Sequence, residues 1–207
     1  RAGLLSPSVR LVQDDPRRFL ATTADRYDLI LVGMPDPASG QSNRFYTREF
    51  FALASRRLAD GGILAFRLSS SENFLAPPLA RRLASIARAV QGAFPEVSVL
   101  PGPTNVILAS RRPVARDPDV LAERLVARGI RARLVGAPWL RYVLTNDRVA
   151  ELAARIAAED VPANSDAVPI CYQYTVLGWL SMFLPAAAIV DIPTTVRRLL
   201  TAPGSIG

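Results

Sequence analysis

The 207-residue chain is 50% hydrophobic, enough to bury a substantial core in one domain or in one domain with an appendage. Its net charge is +7, but all 25 basic residues are arginine, which reads as genome composition bias. No basic stripe interleaved with aromatics accompanies them, so nucleic acid is not an expected partner. The complete lack of His excludes His general bases, Ser-His-Asp triads and His metal sites, and the single Cys171 excludes an internal disulfide and a Cys-based zinc site. No metal is therefore expected, and Cys171, in Pro-Ile-Cys-Tyr, reads as a small buried hydrophobe. The chain opens on Arg1 with nothing resembling a signal peptide. It reads as a segment of a longer polypeptide, with a processed or incompletely assigned chain as the alternative.

In chain order, Val9 to Gln13 alternates and predicts a strand. Asp15-Pro16 follows, a cap and a first helical residue, predicting a helix near 16–23. Leu29-Ile30-Leu31-Val32 is a short apolar run bounded by charge and by Gly/Pro, the pattern of an interior parallel strand over 28–32. Gly33, Pro35, Pro37 and Gly40 forbid its continuation as a helix. Thr47 suits the cap of a helix over 47–58, with Phe50, Phe51, Ala54 and Leu58 near one face. Asp60-Gly61-Gly62 is expected to end that helix, the glycines supplying a left-handed turn.

A strand is predicted over 63–68 and a polar loop over 69–73. A long amphipathic helix follows from Pro77, with Leu79, Leu83, Ile86, Ala87 and Val90 on one face. Strands over 96–100 and 105–110 form a hairpin across Pro101-Gly102-Pro103-Thr104. Strand–helix alternation closed by a hairpin is the late half of a methyltransferase-like doubly wound α/β fold. Beyond Pro113 the pattern turns mainly helical, with helices near 117–128 and 146–159 and a short strand over Ile130 to Val135. Thr175 to Val190 is the most apolar segment, interrupted by Pro185 and shorter than the roughly 20 residues a membrane span needs, so it reads as a buried or interfacial helix. Trp179 and Phe183 would share one of its faces. The expected domains are a partial Rossmann-like unit over 1–112, a mainly helical appendage over 113–160, and an apolar helix with a tail over 161–207.

Asp15-Pro-Arg-Arg-Phe19-Leu20 reads D-x-x-x-F-L, and Leu58-Ala-Asp-Gly61-Gly62-Ile-Leu64 reads L-x-x-G-G-x-L. Both resemble motifs of the spermidine synthase (aminopropyltransferase) family, and most closely its bacterial branch in which such a domain is fused to membrane helices. Tyr27-Asp28-Leu-Ile-Leu-Val, Asp36-Pro37 and Phe45-Tyr46-Thr47-Arg-Glu49-Phe50-Phe51 join the match. Asn164-Ser165-Asp166, Pro169, Tyr172, Tyr174 and Trp179 resemble the branch's C-terminal signature.

The resemblance implies aminopropyl transfer from decarboxylated S-adenosylmethionine to a polyamine. It makes Asp15 the acceptor for the adenine amino group, although Asp15 equally suits a helix cap. The family's catalytic loop reads D-x-x-D-P, its first Asp taking the proton and its second helping to bind the amine. Aligned here, the first position is Gly33 and the second is Asp36. Asp36 is thus the remaining candidate for catalysis and for amine binding, and a turn residue before Pro37 on the bland reading. Tyr46 is a candidate substrate contact or a packing aromatic. The Gly/Trp-rich loop that the family's hairpin carries over its substrate is replaced by Pro103-Thr104-Asn105-Val106.

No glycine-rich loop of the nucleoside-binding kind precedes Val9. In the family's strand order the first two strands lie between the Val9 strand and the Leu29 strand. An open sheet edge is therefore expected, filled by another polypeptide, with a membrane domain of a larger parent protein as one source. The expected location is the cytoplasm or the cytoplasmic face of the bacterial inner membrane. Three functions stay open. The first is a spermidine synthase-like domain with weak or lost aminopropyl transfer. The second is a non-catalytic scaffold or interaction subunit, and the third is a transferase on another substrate.

Overall fold

The computed structural model describes residues 7–70 and 76–180. In chain order these form α1 (Pro16–Thr22), β1 (Tyr27–Val32), α2 (Gly40–Asn43), α3 (Arg48–Arg57), β2 (Leu58–Ser69), α4 (Pro77–Gln91), β3 (Glu96–Leu100), β4 (Thr104–Ser110), α5 (Pro118–Ala127), α6 (Ala137–Thr145), α7 (Asp147–Ala158) and α8 (Ile170–Leu180). The strands make one four-stranded sheet in the order β1-β2-β4-β3. β1 and β2 are parallel, joined by α3, and β4 is antiparallel to both β2 and β3. This is the expected α/β architecture, a parallel pair extended by a terminal antiparallel hairpin.

Local chemistry starts the helices where the sequence places their caps. The Asp15 carboxylate accepts from the Arg17 and Arg18 amides at the head of α1, with Pro16 in the first turn. The Thr47 hydroxyl accepts from the Phe50 amide at the head of α3. Alternation along β2 buries Leu64, Phe66 and Leu68 and turns Arg67 outward between them. Helical spacing in α4 buries Leu83, Ile86 and Val90. These faces meet in one core with Leu20, Phe50, Phe51, Ala54, Ile107 and Cys171. Phe51 stacks on Phe66 at 5.5 Å, and Tyr46 meets the same ring edge-on at 5.8 Å. Cys171 is a buried hydrophobe, and burial pushes its thiol up to about 12.

Four sequence expectations are corrected. Residues 9–13 form no strand; Val9, Leu11 and Val12 lie exposed, because an extended segment without a neighbouring strand has no ladder to join. Residues 130–135 form no strand for the same reason. The glycine pair does not end α3. That helix stops at Arg57, Leu58 turns extended and fully buried, and Gly61 (φ 77°) and Gly62 sit inside β2. There the pairing with β1 slips, Tyr27 opposing Leu58 and Leu29 opposing Ile63. A Cβ on Gly62 would stand 2.8 Å from the Tyr27 carbonyl oxygen, so the close approach of β1 and β2 requires glycine. Finally, the short α2 lies in the stretch read as a loop after β1, while α6 is a further helix of the mainly helical stretch beyond Pro113.

α5 and α6 pack on each other, while α7 and α8 pack on α4. The apolar helix starts at Ile170, ahead of the expected Thr175, and the stretch beyond Leu180, Phe183 included, lies outside the described residues. Trp179 is 57% exposed. Among the described residues no helix is long and apolar enough to cross a membrane.

β1 leaves one long edge without a partner strand among the described residues. On the sheet face turned away from the core, its Leu29 and Leu31 are 57% and 70% exposed. β1 is thus an edge strand among the described residues, and not the interior strand its bounded apolar run suggests.

Candidate functional site

Beyond the carboxyl ends of the parallel strands, where open α/β sheets hold ligands, lies a cleft of about 380 Å³. Val32, Gly33, Met34, Pro35 and Asp36 wall one side, and Arg67, Ser69 and Thr104 the other. Gly33 follows the last residue of β1, and nothing lies within 4 Å of where its Cβ would stand. Packing therefore does not require glycine here.

Tyr46 shapes the loop from beneath. It is fully buried, and its hydroxyl lies 2.9 Å from the Met34 carbonyl and 3.0 Å from the Pro35 carbonyl, donating to this pair. Burial raises its pKa well above that of free tyrosine, with the Asp36 charge adding to the shift, so the phenol stays a donor. Tyr46 is a packing aromatic that props the cleft wall.

Asp36 is held on both oxygens. One accepts from the Ser69 amide at 3.1 Å, and the other lies 3.0 Å from Arg82 Nη1. Arg82 reaches in from α4 with its side chain 4% exposed. Its Nη2 donates to the Ser69 carbonyl at 2.8 Å, and its Nη1 also faces the Thr175 hydroxyl at 3.3 Å. That hydroxyl lies 3.1 Å from the Pro37 carbonyl, so α8 also steadies the loop. Arg82 Nε is buried without a partner among the described residues.

Asp15 lies apart, at the head of α1. One oxygen caps the helix and the other accepts from Arg44 Nη1 at 2.9 Å. The Arg18 amide bond holds this carboxyl below its usual value, helped by the Arg17 amide and Arg44. The structure thus brings Asp36 and Tyr46 together and leaves Asp15 in a separate network.

That network reaches the Asn164-Ser165-Asp166 segment. Arg17 grips Asp166 with two bonds, at 2.9 and 2.7 Å, and the Thr47 hydroxyl donates to the same carboxylate at 2.8 Å. Asn164 is fully buried, donating to the Tyr46 carbonyl at 2.9 Å and to Asn43 Oδ1 at 3.2 Å, and accepting from the Cys171 amide at 3.3 Å. The segment clasps the loop that carries Tyr46.

Sequence reasoning missed Arg82 and Arg67. Arg82 was detectable, since its place between Leu79, Leu83 and Ile86 puts a charge on the buried face of α4. Arg67 was detectable as the outward residue between Phe66 and Leu68.

A parallel strand pair running into an antiparallel hairpin, with the cleft past the parallel carboxyl ends, defines a methyltransferase-like α/β domain. Two solved structures share this fold. The Thermotoga maritima spermidine synthase aligns with a TM-score of 0.58 at 12% identity, covering 76% of this chain and 53% of that one. A spermidine synthase crystallised with the transition-state analogue AdoDATO aligns at 0.56 and 12%, covering 76% and 52%. Residues 1–102 match the spermine/spermidine synthase domain, and this stretch of the chain is similar to that family.

Among curated relatives, the polyamine aminopropyltransferase of Corynebacterium efficiens is 37% identical over 86 residues, 40% of this chain and 16% of the relative. That of Pyrobaculum calidifontis is 34% identical over 117 residues, 52% of this chain and 39% of the relative. The chain spans about half the length of the aligned structures and less of these relatives.

Proposed function

We propose that this chain carries the acceptor-side part of an aminopropyltransferase-type domain whose proton-accepting carboxylate is gone, leaving aminopropyl transfer weak or absent. The observation that carries this reading is Gly33, an empty position at the mouth of the cleft just past β1. In the reaction, an amine nitrogen attacks the carbon beside a sulfonium. The C–S bond breaks, its electron pair returns to sulfur, and the amine proton passes to a base. Losing a positioned base costs about 10²–10⁴-fold in rate. Asp36 is the carboxylate left to bind and deprotonate an amine, and its pairing with Arg82 offsets the charge that would attract a polycation. Asp15 would hold the adenine amino group of decarboxylated S-adenosylmethionine, in competition with its cap and with Arg44.

The open edge of β1 supports a second polypeptide segment completing the sheet, from the same parent chain or from a partner such as a membrane domain. The same edge, with Leu29 and Leu31 bare beside it, favours the second reading, a non-catalytic interaction subunit. The expected location is the cytoplasm or the cytoplasmic face of the bacterial inner membrane.

The test is a product assay with decarboxylated S-adenosylmethionine and putrescine on this chain, on the full-length protein and on its Gly33→Asp variant. No spermidine is expected from this chain, with or without Gly33→Asp, because the nucleoside-binding half is not in it. Robust spermidine formation by the unmodified full-length protein would overturn the reading and make Asp36 the next carboxylate to substitute.

A further inference from the structure

We infer that the cleft beyond β1 and β2 binds a small oxyanion, a carboxylate or phosphate group, in place of a polycation. The inference rests on reading this cleft as the acceptor site of a transferase-type domain, and it names the class of ligand the site takes.

The charges around the cleft carry the inference. The alternation that buries Phe66 and Leu68 forces the Arg67 side chain to the other face of β2, and Arg67 lines the cleft opposite Gly33. Its guanidinium has no hydrogen-bond or ion-pair partner among the described residues. The carboxylate in the cleft wall, Asp36, is already matched by buried Arg82. Among the described residues, the cleft wall and its support therefore hold two guanidinium groups, Arg67 and Arg82, and one carboxylate, Asp36, so the unmatched charge is positive.

A polyamine would meet that charge with like charge. An oxyanion would meet a planar fork of N–H donors, which suits two-point binding of carboxylate or phosphate. Ser69 and Thr104 line the same wall, and their hydroxyls have no partner among the described residues, so each is available as a further donor. The volume of about 380 Å³ falls within the range of small-ligand pockets. Gly33 fits this chemistry as well, since a carboxylate there would face Arg67 and repel an anion.

The test is an NMR titration of the 207-residue chain, at constant ionic strength, with inorganic phosphate, with acetate and with spermidine. The expected result is saturable movement of the Gly33, Ser69 and Thr104 amide signals with one or both anions and none with spermidine. Whichever anion saturates at the lower concentration identifies the ligand's acidic group. Arg67→Gln, at an exposed position, should weaken anion binding by about tenfold or more, and Arg67→Lys should retain part of it. The same titration unchanged in Arg67→Gln, no response to either anion, or saturation by spermidine would overturn the inference. Spermidine formation by the full-length protein would defeat the proposed function while leaving this titration as a separate readout.

Discussion

Arg82 Nη1 lies 3.0 Å from a carboxylate oxygen of Asp36, joining the buried face of α4 to the loop that follows β1. Breaking a buried pair by removing one partner leaves the other charge uncompensated. Asp36 keeps 24% exposure, which softens that penalty. Arg82→Met should therefore destabilise the domain by about 3 kcal/mol in urea unfolding. The double variant Arg82→Met/Asp36→Asn should recover part of the loss, because no unpaired charge remains. Equal stability of Arg82→Met and the unmodified chain would show that the pair does not hold the loop.

Two glycines make opposite predictions. A Cβ at Gly62 meets the Tyr27 carbonyl at 2.8 Å, and a backbone atom in a sheet cannot swing aside. Gly62→Ala should cost about 1–3 kcal/mol. Gly33 has open space and an ordinary φ, so Gly33→Asp should fold within about 0.5 kcal/mol of the unmodified chain. Thermal melts of the two variants side by side decide this.

Asn164 is fully buried and satisfies three groups around it, Asn43 Oδ1, the Tyr46 carbonyl and the Cys171 amide. Asn164→Ala leaves them without a partner in a dry site, at about 1–3 kcal/mol for each group left unpaired. The Arg48 amide donates to the Asn164 carbonyl at 3.0 Å, so hydrogen exchange at Arg48 should accelerate in the variant. Unchanged exchange there would mean that the clasp is held by other contacts.

The Asp166 carboxyl is held below its usual value of 3.8, mainly by its bonds from Arg17, with burial opposing and Thr47 assisting. A depressed native pKa means that the folded state binds the proton less readily than the unfolded state. This stabilisation is fully present above the unfolded value and is lost as pH falls through the folded one. The urea midpoint should drop below about pH 4, and Asp166→Asn should flatten that decline. An identical acid-side slope in the variant would remove Asp166 from the account.

Much of the sheet was legible because β1, β3 and β4 carry alternation or a bounded apolar run, and their boundaries fall close to expectation. The caps at Asp15 and Thr47 were legible because a side-chain oxygen before an apolar run has a direct local partner. The strand expected over 9–13 failed because alternation reports a tendency to pair and says nothing of whether a neighbour is present. Gly61-Gly62 misled because positive φ serves a bulge as readily as a helix end. In the site, Gly33 and Asp36 could be placed because the loop after β1 resembles the family's D-x-x-D-P. The Arg82 contact joins α4 to a loop far earlier in the chain, a relationship no local pattern expresses.

The stitching of the later chain to α4 has a consequence for the molecule cut in two. The Ser85 hydroxyl bonds to the Pro162 carbonyl, Arg88 reaches the Glu159 and Val161 carbonyls, and Arg17 holds Asp166. Residues 126–134 are exposed and include Arg128, Arg131 and Arg133, all open to trypsin. A nick there separates the backbone without touching those bonds. The two fragments should therefore travel as one particle through a sizing column and part only in denaturant, which makes this turn a natural place to divide the protein into separately expressed, complementing halves.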